Sequence, residues 1–107
     1  MSASPTNPAA TITCLYPKTP NFFFNVDYYL STHIPLAKEL WGPLGMTGVS
    51  VAEVDGESGY AYNITIQFKD LESWKAVLQH ESSKRLGEDG KNYTNVEPVF
   101  IASKIIG

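Results

Sequence analysis

The chain has 107 residues, of which 43% are hydrophobic and 18% are charged, and its formal net charge is −3. This length suits one domain with a single modest core. The acidic balance and the scattered lysines and arginines argue against a nucleic-acid surface. The apolar runs are shorter than the span of a bilayer, so we also expect no membrane segment.

The first residues and the cysteine content indicate where the chain works. Residues 1–8 have neither a basic start nor an apolar stretch, so they do not resemble a secretory signal. We predict a flexible tail over residues 1–8 and one folded domain over residues 9–107. Cys14 is the only cysteine, which excludes a disulfide within the chain and favours a reducing, cytoplasmic location.

Four segments alternate between apolar and polar residues and predict strands over 10–16, 46–54, 60–68 and 96–105. The glycine-containing turn between the second and third of these segments predicts an antiparallel hairpin. Pro98 falls near the beginning of the last strand, a position that tolerates proline.

Two helices are expected between these strands. The first begins after the N-cap residue Asn25 and ends near Trp41. The second begins after the N-cap residue Asp70 and includes His80 as a solvent-facing residue. Residues 86–95 contain glycine and no clear period, and we interpret them as an irregular stretch.

The order strand, helix, strand, strand, helix, strand is the split βαβ plan of an α+β, ferredoxin-like sheet with both helices on one face. The other face then carries Thr13, Leu15 and Asn63. The second and last strands fit either parity, and we expect valines such as Val49 or Val51 on this open face. Because a monomer would leave such apolar side chains in water, the sequence predicts a homodimer.

The first helix carries two residues that a core helix seldom needs. His33 lies beside the apolar stripe, four residues after Tyr29, and Pro35 follows within the same helix. Histidine exchanges a proton near neutral pH, and a mid-helix proline distorts the turn before it. We predict a kinked or interrupted helix near Ser31 and a His33 side chain that faces a cavity.

The phrase around this histidine resembles the signature of the EthD-like family: Phe24-Asn25-Val26-Asp27-Tyr28-Tyr29-Leu30-Ser31-Thr32-His33-Ile34-Pro35-Leu36. Trp41-Gly42-Pro43, the glycine-rich hairpin, and Tyr93-Thr94-Asn95 before Pro98 are similar to residues of that family at corresponding places. The resemblance implies a dimeric α/β barrel, in which two sheets pack face to face, with a pocket between sheet and helices in each subunit. The wider superfamily includes cofactor-free monooxygenases, muconolactone isomerases, polyketide cyclases and decarboxylases, and haem enzymes, so the resemblance does not fix the reaction.

The candidate catalytic residue is His33, as a general acid or base. The candidate substrate-binding residues are Tyr29, Trp41, Asn63, Thr65, Thr13, Tyr93 and Phe24. Tyr29 either orients the imidazole or packs beside it. Asn63, Thr65 or Thr13 would hold an oxygen of the substrate or of its enolate. No cluster of histidine, cysteine and carboxylate residues has the spacing of metal ligands, so we expect no metal.

These residues favour a cofactor-independent enzyme that binds a small apolar, aromatic or polyketide-like molecule. The expected chemistry is decarboxylation, isomerisation or cyclisation by proton transfer. One alternative is a non-catalytic binding or carrier module with the same pocket, and another is a cofactor-free monooxygenase. A haem would need only one axial histidine, but nothing in the sequence favours it, and we expect no cofactor.

Overall fold

The computed structural model describes residues 9–107, so the tail predicted over residues 1–8 lies outside the described residues. The elements in chain order are β1 (Ala10–Pro17), α1 (26–41), β2 (Met46–Glu53), β3 (Tyr60–Phe68), α2 (Leu71–Leu78), α3 (Glu81–Asp89) and β4 (Val99–Lys104). Short 3₁₀ turns follow α1 and α3. The predicted N-caps are confirmed, because Asn25 and Asp70 accept hydrogen bonds from backbone amides in the first turns of α1 and α2.

The four strands form one antiparallel sheet in the order β2-β3-β1-β4. This order and the predicted β2–β3 hairpin confirm the ferredoxin-like fold. In the ladder between the two central strands, Ile12 lies opposite Ile66 and Cys14 opposite Ile64. Opposite residues of a ladder point to the same side, so these apolar side chains share one face of the sheet.

The core lies between this face and the helices. Strand β1 contributes a buried side chain at every second position, namely Ala10, Ile12, Cys14 and Tyr16. A cluster of Trp41, Phe68 and Trp74, whose ring centroids lie 5.5–6.1 Å apart, connects the end of α1 to β3 and α2. Aromatic edge contacts of this kind add to the stabilisation from burial. The helices therefore cover only one side of the sheet.

The opposite face of the sheet carries different apolar residues from those we expected. Val49 pairs with Ile66 and Val51 with Ile64, so both valines lie on the helix-covered face, and the prediction for them is wrong. The apolar side chains of the open face come from the edge strand β4 instead. Val99 and Ile101 lie opposite Leu15 and Thr13 on that face, and both are exposed in one chain.

Residues 86–92 are not irregular, because the helix α3 occupies Glu81–Asp89 and a 3₁₀ turn follows it, whereas residues 93–95 lie outside the helices and strands. His80 is not part of the second helix: it is the exposed N-cap of α3, and its ring Nδ1 accepts from the Ser82 amide. Strand β4 begins at Val99, later than predicted. Only Ser82 and Leu86 are buried in α3, because its sequence is mostly polar and charged and offers few apolar residues to signal a helix.

Helix α1 is interrupted where the sequence predicts. Its segments Val26–Tyr28 and Ile34–Trp41 are α-helical, but Tyr29–His33 forms one π-helical turn. The Ile34 amide bonds to the carbonyl of Tyr29, five residues earlier. Pro35 lacks an amide hydrogen and its ring would crowd the carbonyl four residues before it, so a widened turn accommodates it.

Among residues 9–107, no helix combines the length and hydropathy that crossing a bilayer requires.

Candidate active site

A cavity of about 870 Å³ lies between the helices and the covered face of the sheet. Its wall is mostly aromatic and aliphatic, and includes Ile64, Trp74 and Leu86. Natural small-molecule sites are concave, largely apolar and of a similar size, with a few polar groups that orient the ligand. The cavity is therefore the candidate site, and its polar groups decide what it can do.

His33 lies in the wall of this cavity at the end of the π-helical turn. The residue is only 8% exposed, and its ring stacks on that of Tyr29 with centroids 5.1 Å apart. Nδ1 of the ring lies 2.8 Å from Oδ2 of Asp89. The widened turn of α1 and the last residue of α3 thus bring an imidazole and a carboxylate together.

Asp89 is held in place by donors other than His33. The hydroxyl of Tyr28 donates to its Oδ1 at 2.6 Å, and the side-chain amide of Asn92 donates to the same oxygen at 2.9 Å. Burial alone would raise the pKa of Asp89, but these hydrogen bonds and the one to His33 outweigh it and lower that pKa. The carboxyl group is therefore ionised at neutral pH.

Burial has the opposite consequence for His33, because it disfavours the charged imidazolium. This effect lowers the pKa of His33, and the hydrogen bond and negative charge of Asp89 oppose it only in part. The ring is consequently uncharged at neutral pH. Because an ionised carboxylate only accepts hydrogen bonds, we assign the single ring proton to Nδ1, which donates to Asp89. Nε2 then carries a free lone pair.

Tyr93 is the polar neighbour of Nε2. Its hydroxyl lies 3.5 Å from Nε2 and 2.7 Å from the hydroxyl of Tyr16, and both tyrosines line the cavity. Backbone contacts position this residue, since the Asn25 amide bonds to the Tyr93 carbonyl at 2.7 Å. Burial raises the pKa of Tyr93 to about 12, so the phenol keeps its hydrogen at neutral pH.

Of the eight predicted site residues, the structure brings four together in the cavity wall: His33, Tyr29, Trp41 and Tyr93. Trp41 is buried, and within the described residues its indole N–H has no hydrogen-bond acceptor. Its ring lies edge to face with Trp74, at a centroid distance of 5.7 Å. The tryptophan therefore has an unused donor at the end of α1 away from His33.

The structure does not bring the other four to the cavity. Phe24 packs on Tyr62, with ring centroids 4.5 Å apart, outside the cavity wall. Thr13 and Thr65 lie opposite each other, and Asn63 opposite Leu15, at positions that alternate with buried residues of β1 and β3. Their side chains therefore lie on the open face of the sheet, away from His33.

Two residues of the site are not predicted from the sequence. Asp89 is the last residue of a mostly polar helix, and nothing in the sequence alone connects it to His33, 56 positions earlier. Tyr16 follows the strand alternation and looks like an ordinary core residue. Its hydroxyl is the one feature that indicates a polar neighbour, because a buried tyrosine usually finds a hydrogen-bond partner for that group.

Other chemistry finds little support in this wall. Cys14 also lines the cavity, but burial raises the pKa of its thiol to about 12, so it is not a thiolate at neutral pH. Within residues 9–107, no three histidine, cysteine or carboxylate side chains group as metal ligands would. The polar groups suited to catalysis are therefore those around His33.

The fold and this cavity define a class: ferredoxin-like α+β domains that enclose an apolar cavity between their helices and one face of the sheet. The family model described as EthD domain matches residues 19–97, which is well over half of the chain. The chain therefore belongs to the EthD domain family, as the phrase around His33 indicates.

Solved structures share the fold at low sequence identity. An EthD-like protein from Ralstonia eutropha JMP134 is 21% identical, with a TM-score of 0.80 over 95% of this chain and 96% of that chain. SnoaB, a cofactor-independent oxygenase from Streptomyces nogalater, is 9% identical, with a TM-score of 0.60 over 92% and 96%. A dimeric ferredoxin-like protein of unknown function from Jannaschia sp. CCS1 is 17% identical, with a TM-score of 0.62 over 91% and 98%. A comparison with curated proteins found no match.

Proposed function

We propose that this protein is a cofactor-independent enzyme in which His33 acts as general base and then as general acid. The observation that carries the proposal is the contact between His33, which lies in the cavity wall, and the half-buried carboxylate of Asp89 behind it, which is bonded to Nδ1 at 2.8 Å. This arrangement leaves Nε2 unprotonated and stabilises the imidazolium that forms when Nε2 takes a proton. Positioned proton transfer of this kind contributes about 10²–10⁴ to a rate.

The chemistry balances without a redox partner. Nε2 of His33 takes a proton from a substrate carbon, and the electron pair of that C–H bond delocalises into the substrate. In an isomerisation, the imidazolium returns the proton to a different carbon. In a cyclisation, the carbanion attacks a carbonyl carbon of the same substrate, the π bond of that carbonyl breaks, and the imidazolium protonates the resulting alkoxide. In a decarboxylation, Nε2 of His33 takes the proton of the substrate's carboxylic acid, carbon dioxide leaves, and the imidazolium returns that proton to the carbon left behind.

The cavity favours an apolar substrate with several rings, such as an aromatic polyketide. Its volume of about 870 Å³ and its aromatic wall support this choice. His33 and Trp41 are eight positions apart on α1, which corresponds to about 12 Å along a helix. A ligand that contacts both residues is therefore elongated.

Solvent hydrogen exchange into a model ketone tests the proposal, and it does not require the natural substrate. The native protein is incubated in D₂O with 2-tetralone, a two-ring enolisable ketone, and deuterium entry at the α-carbons is followed by NMR. We expect catalysed exchange that falls about 10²–10⁴-fold in His33→Asn. The matched control is His80→Asn, since His80 is an exposed N-cap and asparagine also caps helices. If His33→Asn exchanges 2-tetralone at the native rate, His33 is not the base.

Two other functions can be distinguished from proton transfer with the same ligand. SnoaB, which shares the fold, is a cofactor-independent oxygenase, and an oxygenase predicts substrate consumption that depends on dissolved oxygen. A binding or carrier module predicts that 2-tetralone binds but exchanges no faster than in buffer. The His33–Asp89 pair favours an enzyme over a carrier, because binding alone does not require a base held by a carboxylate, and the dependence on oxygen then separates the two kinds of enzyme.

We further propose a homodimer that forms through the open face of the sheet, as in a dimeric α/β barrel. The exposed Val99 and Ile101 on that face support it, and so does the dimeric Jannaschia protein of the same fold. The buried free thiol of Cys14 is consistent with a reducing, cytoplasmic location, which stays part of the proposal.

A further inference from the structure

Two tyrosine hydroxyls meet beside the histidine. The hydroxyls of Tyr16 and Tyr93 lie 2.7 Å apart, and both residues are almost fully buried. A pair of phenols has two hydroxyl hydrogens, and the bond between the phenols uses one. The remaining hydrogen needs an acceptor, because a buried hydroxyl without one is costly.

The position of the ring proton on His33 decides which phenol holds that remaining hydrogen. With the His33 proton on Nδ1 toward Asp89, Nε2 is an acceptor, and it faces the Tyr93 hydroxyl at 3.5 Å. Tyr16 therefore donates to Tyr93, and Tyr93 directs its own hydrogen toward Nε2. A distance of 3.5 Å is at the outer limit for a hydrogen bond, so this hydrogen is only weakly held. A ligand atom in the cavity can take it at little cost.

We propose that Tyr93 donates this hydrogen to the oxygen of an enolisable carbonyl substrate, with Tyr16 as the positioning residue behind it. The inference rests on the proposed function, since His33 supplies the base. In such a substrate the acidic carbon and the carbonyl oxygen are separated by only two bonds. A base and a donor 3.5 Å apart therefore reach both atoms at once.

The step keeps its atoms and electrons balanced. Nε2 of His33 takes the α-proton, the electrons of the C–H bond form the carbon–carbon double bond, and the carbonyl oxygen becomes the enolate oxygen. Tyr93 donates a hydrogen bond to that oxygen as its negative charge grows, and it keeps its own proton. Donors aimed at developing negative charge are among the largest contributions to catalysis. The imidazolium then returns its proton, and no oxidant or reductant is consumed.

Binding of 2-naphthol tests the donor, because the naphtholate anion has the shape and charge of an enolate. Bound naphtholate is distinguished from naphthol by its absorbance, and naphthalene serves as the ligand without an oxygen. We expect Tyr93→Phe to weaken naphtholate binding roughly 10- to 100-fold, the usual value of a hydrogen bond to a charged group. Naphthalene should bind Tyr93→Phe as it binds the native protein.

Two further variants complete the test. Tyr16→Phe should weaken naphtholate binding several-fold and leave naphthalene binding unchanged, whereas a purely structural role would weaken both. Tyr62→Phe removes a hydroxyl outside the cavity wall and should change neither. If Tyr93→Phe does not fold, the native protein still decides the matter, because bound 2-naphthol must ionise at a lower pH than free 2-naphthol.

Each failure identifies the claim that fails. Tyr93 is not the donor if Tyr93→Phe binds naphtholate as tightly as the native protein does. The same conclusion follows if the native protein does not bind naphtholate. If His33→Asn then still abolishes exchange of 2-tetralone, the proposed base survives. If His33→Asn exchanges normally while naphtholate binding depends on Tyr93, the donor survives and the base does not.

Discussion

At the scale of single residues, the candidate site is a chain of hydrogen bonds with one direction. It runs from Tyr16 through Tyr93 to Nε2 of His33, and from Nδ1 of His33 to Asp89. The ionised carboxylate sets that direction, because it can only accept. Removing its charge should therefore alter the histidine more than it alters the fold.

The change Asp89→Asn tests this dependence through the pH profile of 2-tetralone exchange. Exchange needs neutral His33, so it rises with pH through the pKa of His33, which lies below its usual value of 6.5. Asp89 holds that pKa up by its hydrogen bond and charge, so Asp89→Asn should move the acid limb to lower pH. The maximal rate should fall about 10²-fold or more, because the ring proton is no longer fixed on Nδ1.

The control for this change is Glu88→Gln, which removes the same charge from the neighbouring exposed residue. Its profile should match that of the native protein. An acid limb that moves equally in both variants would attribute the shift to net charge and not to the His33–Asp89 contact.

Sequence reasoning identifies half of this network. His33 and Tyr93 can be recognised because they stand in phrases that resemble those of a known family. Asp89 cannot be recognised, because its contact with His33 spans 56 positions and only the tertiary fold creates it. Thr13 and Thr65 lie on the face of the sheet away from the helices, as strand alternation predicts. That face is separate from the cavity beside His33, so their role in holding a substrate oxygen stays a prediction.

At the scale of elements, α1 and α3 show why some structure can be predicted and some cannot. Pro35 has a fixed consequence for the turn before it, so the interruption of α1 follows from one residue. Helix α3 has only two buried residues, so its sequence resembles a polar loop. Packing against α1, together with the His80 cap, replaces the missing apolar stripe.

The two interrupted or polar elements are also the ones that form the site. The π-helical turn ends at His33, and α3 ends at Asp89. A regular helix with a wide apolar stripe would offer neither a buried imidazole nor a carboxylate beside it. Single π-helical turns are frequent at functional sites, in agreement with this placement.

At the scale of the whole molecule, the strand order and the one-sided helix layer follow from the pattern of elements alone. The parity of β2 does not, because Val49 and Val51 alternate equally well in either register. The ladder with β3 decides it and places both valines on the covered face. The open face keeps Leu15, Val99 and Ile101, and this apolar group carries the dimer proposal.

The change Ile101→Lys tests that assembly. Ile101 lies near the middle of β4 on the open face and is 49% exposed in one chain. A lysine there would place a charge between two apolar sheet faces, so we expect a monomer at micromolar concentration in sedimentation velocity. Ile106→Lys is the matched control, because Ile106 lies beyond β4 and is 89% exposed. A native protein that sediments as a monomer would contradict the proposed dimer.

The central claim is that His33 is a neutral base with its proton on Nδ1, held by Asp89. NMR of the ¹⁵N-labelled imidazole rings across a pH titration measures both properties directly, and His33→Asn assigns the signal. We predict a His33 ring with a protonated Nδ1 and a bare Nε2 at neutral pH, and a pKa below the usual 6.5. A ring with its proton on Nε2, or one that stays charged above pH 6.5, would contradict the account.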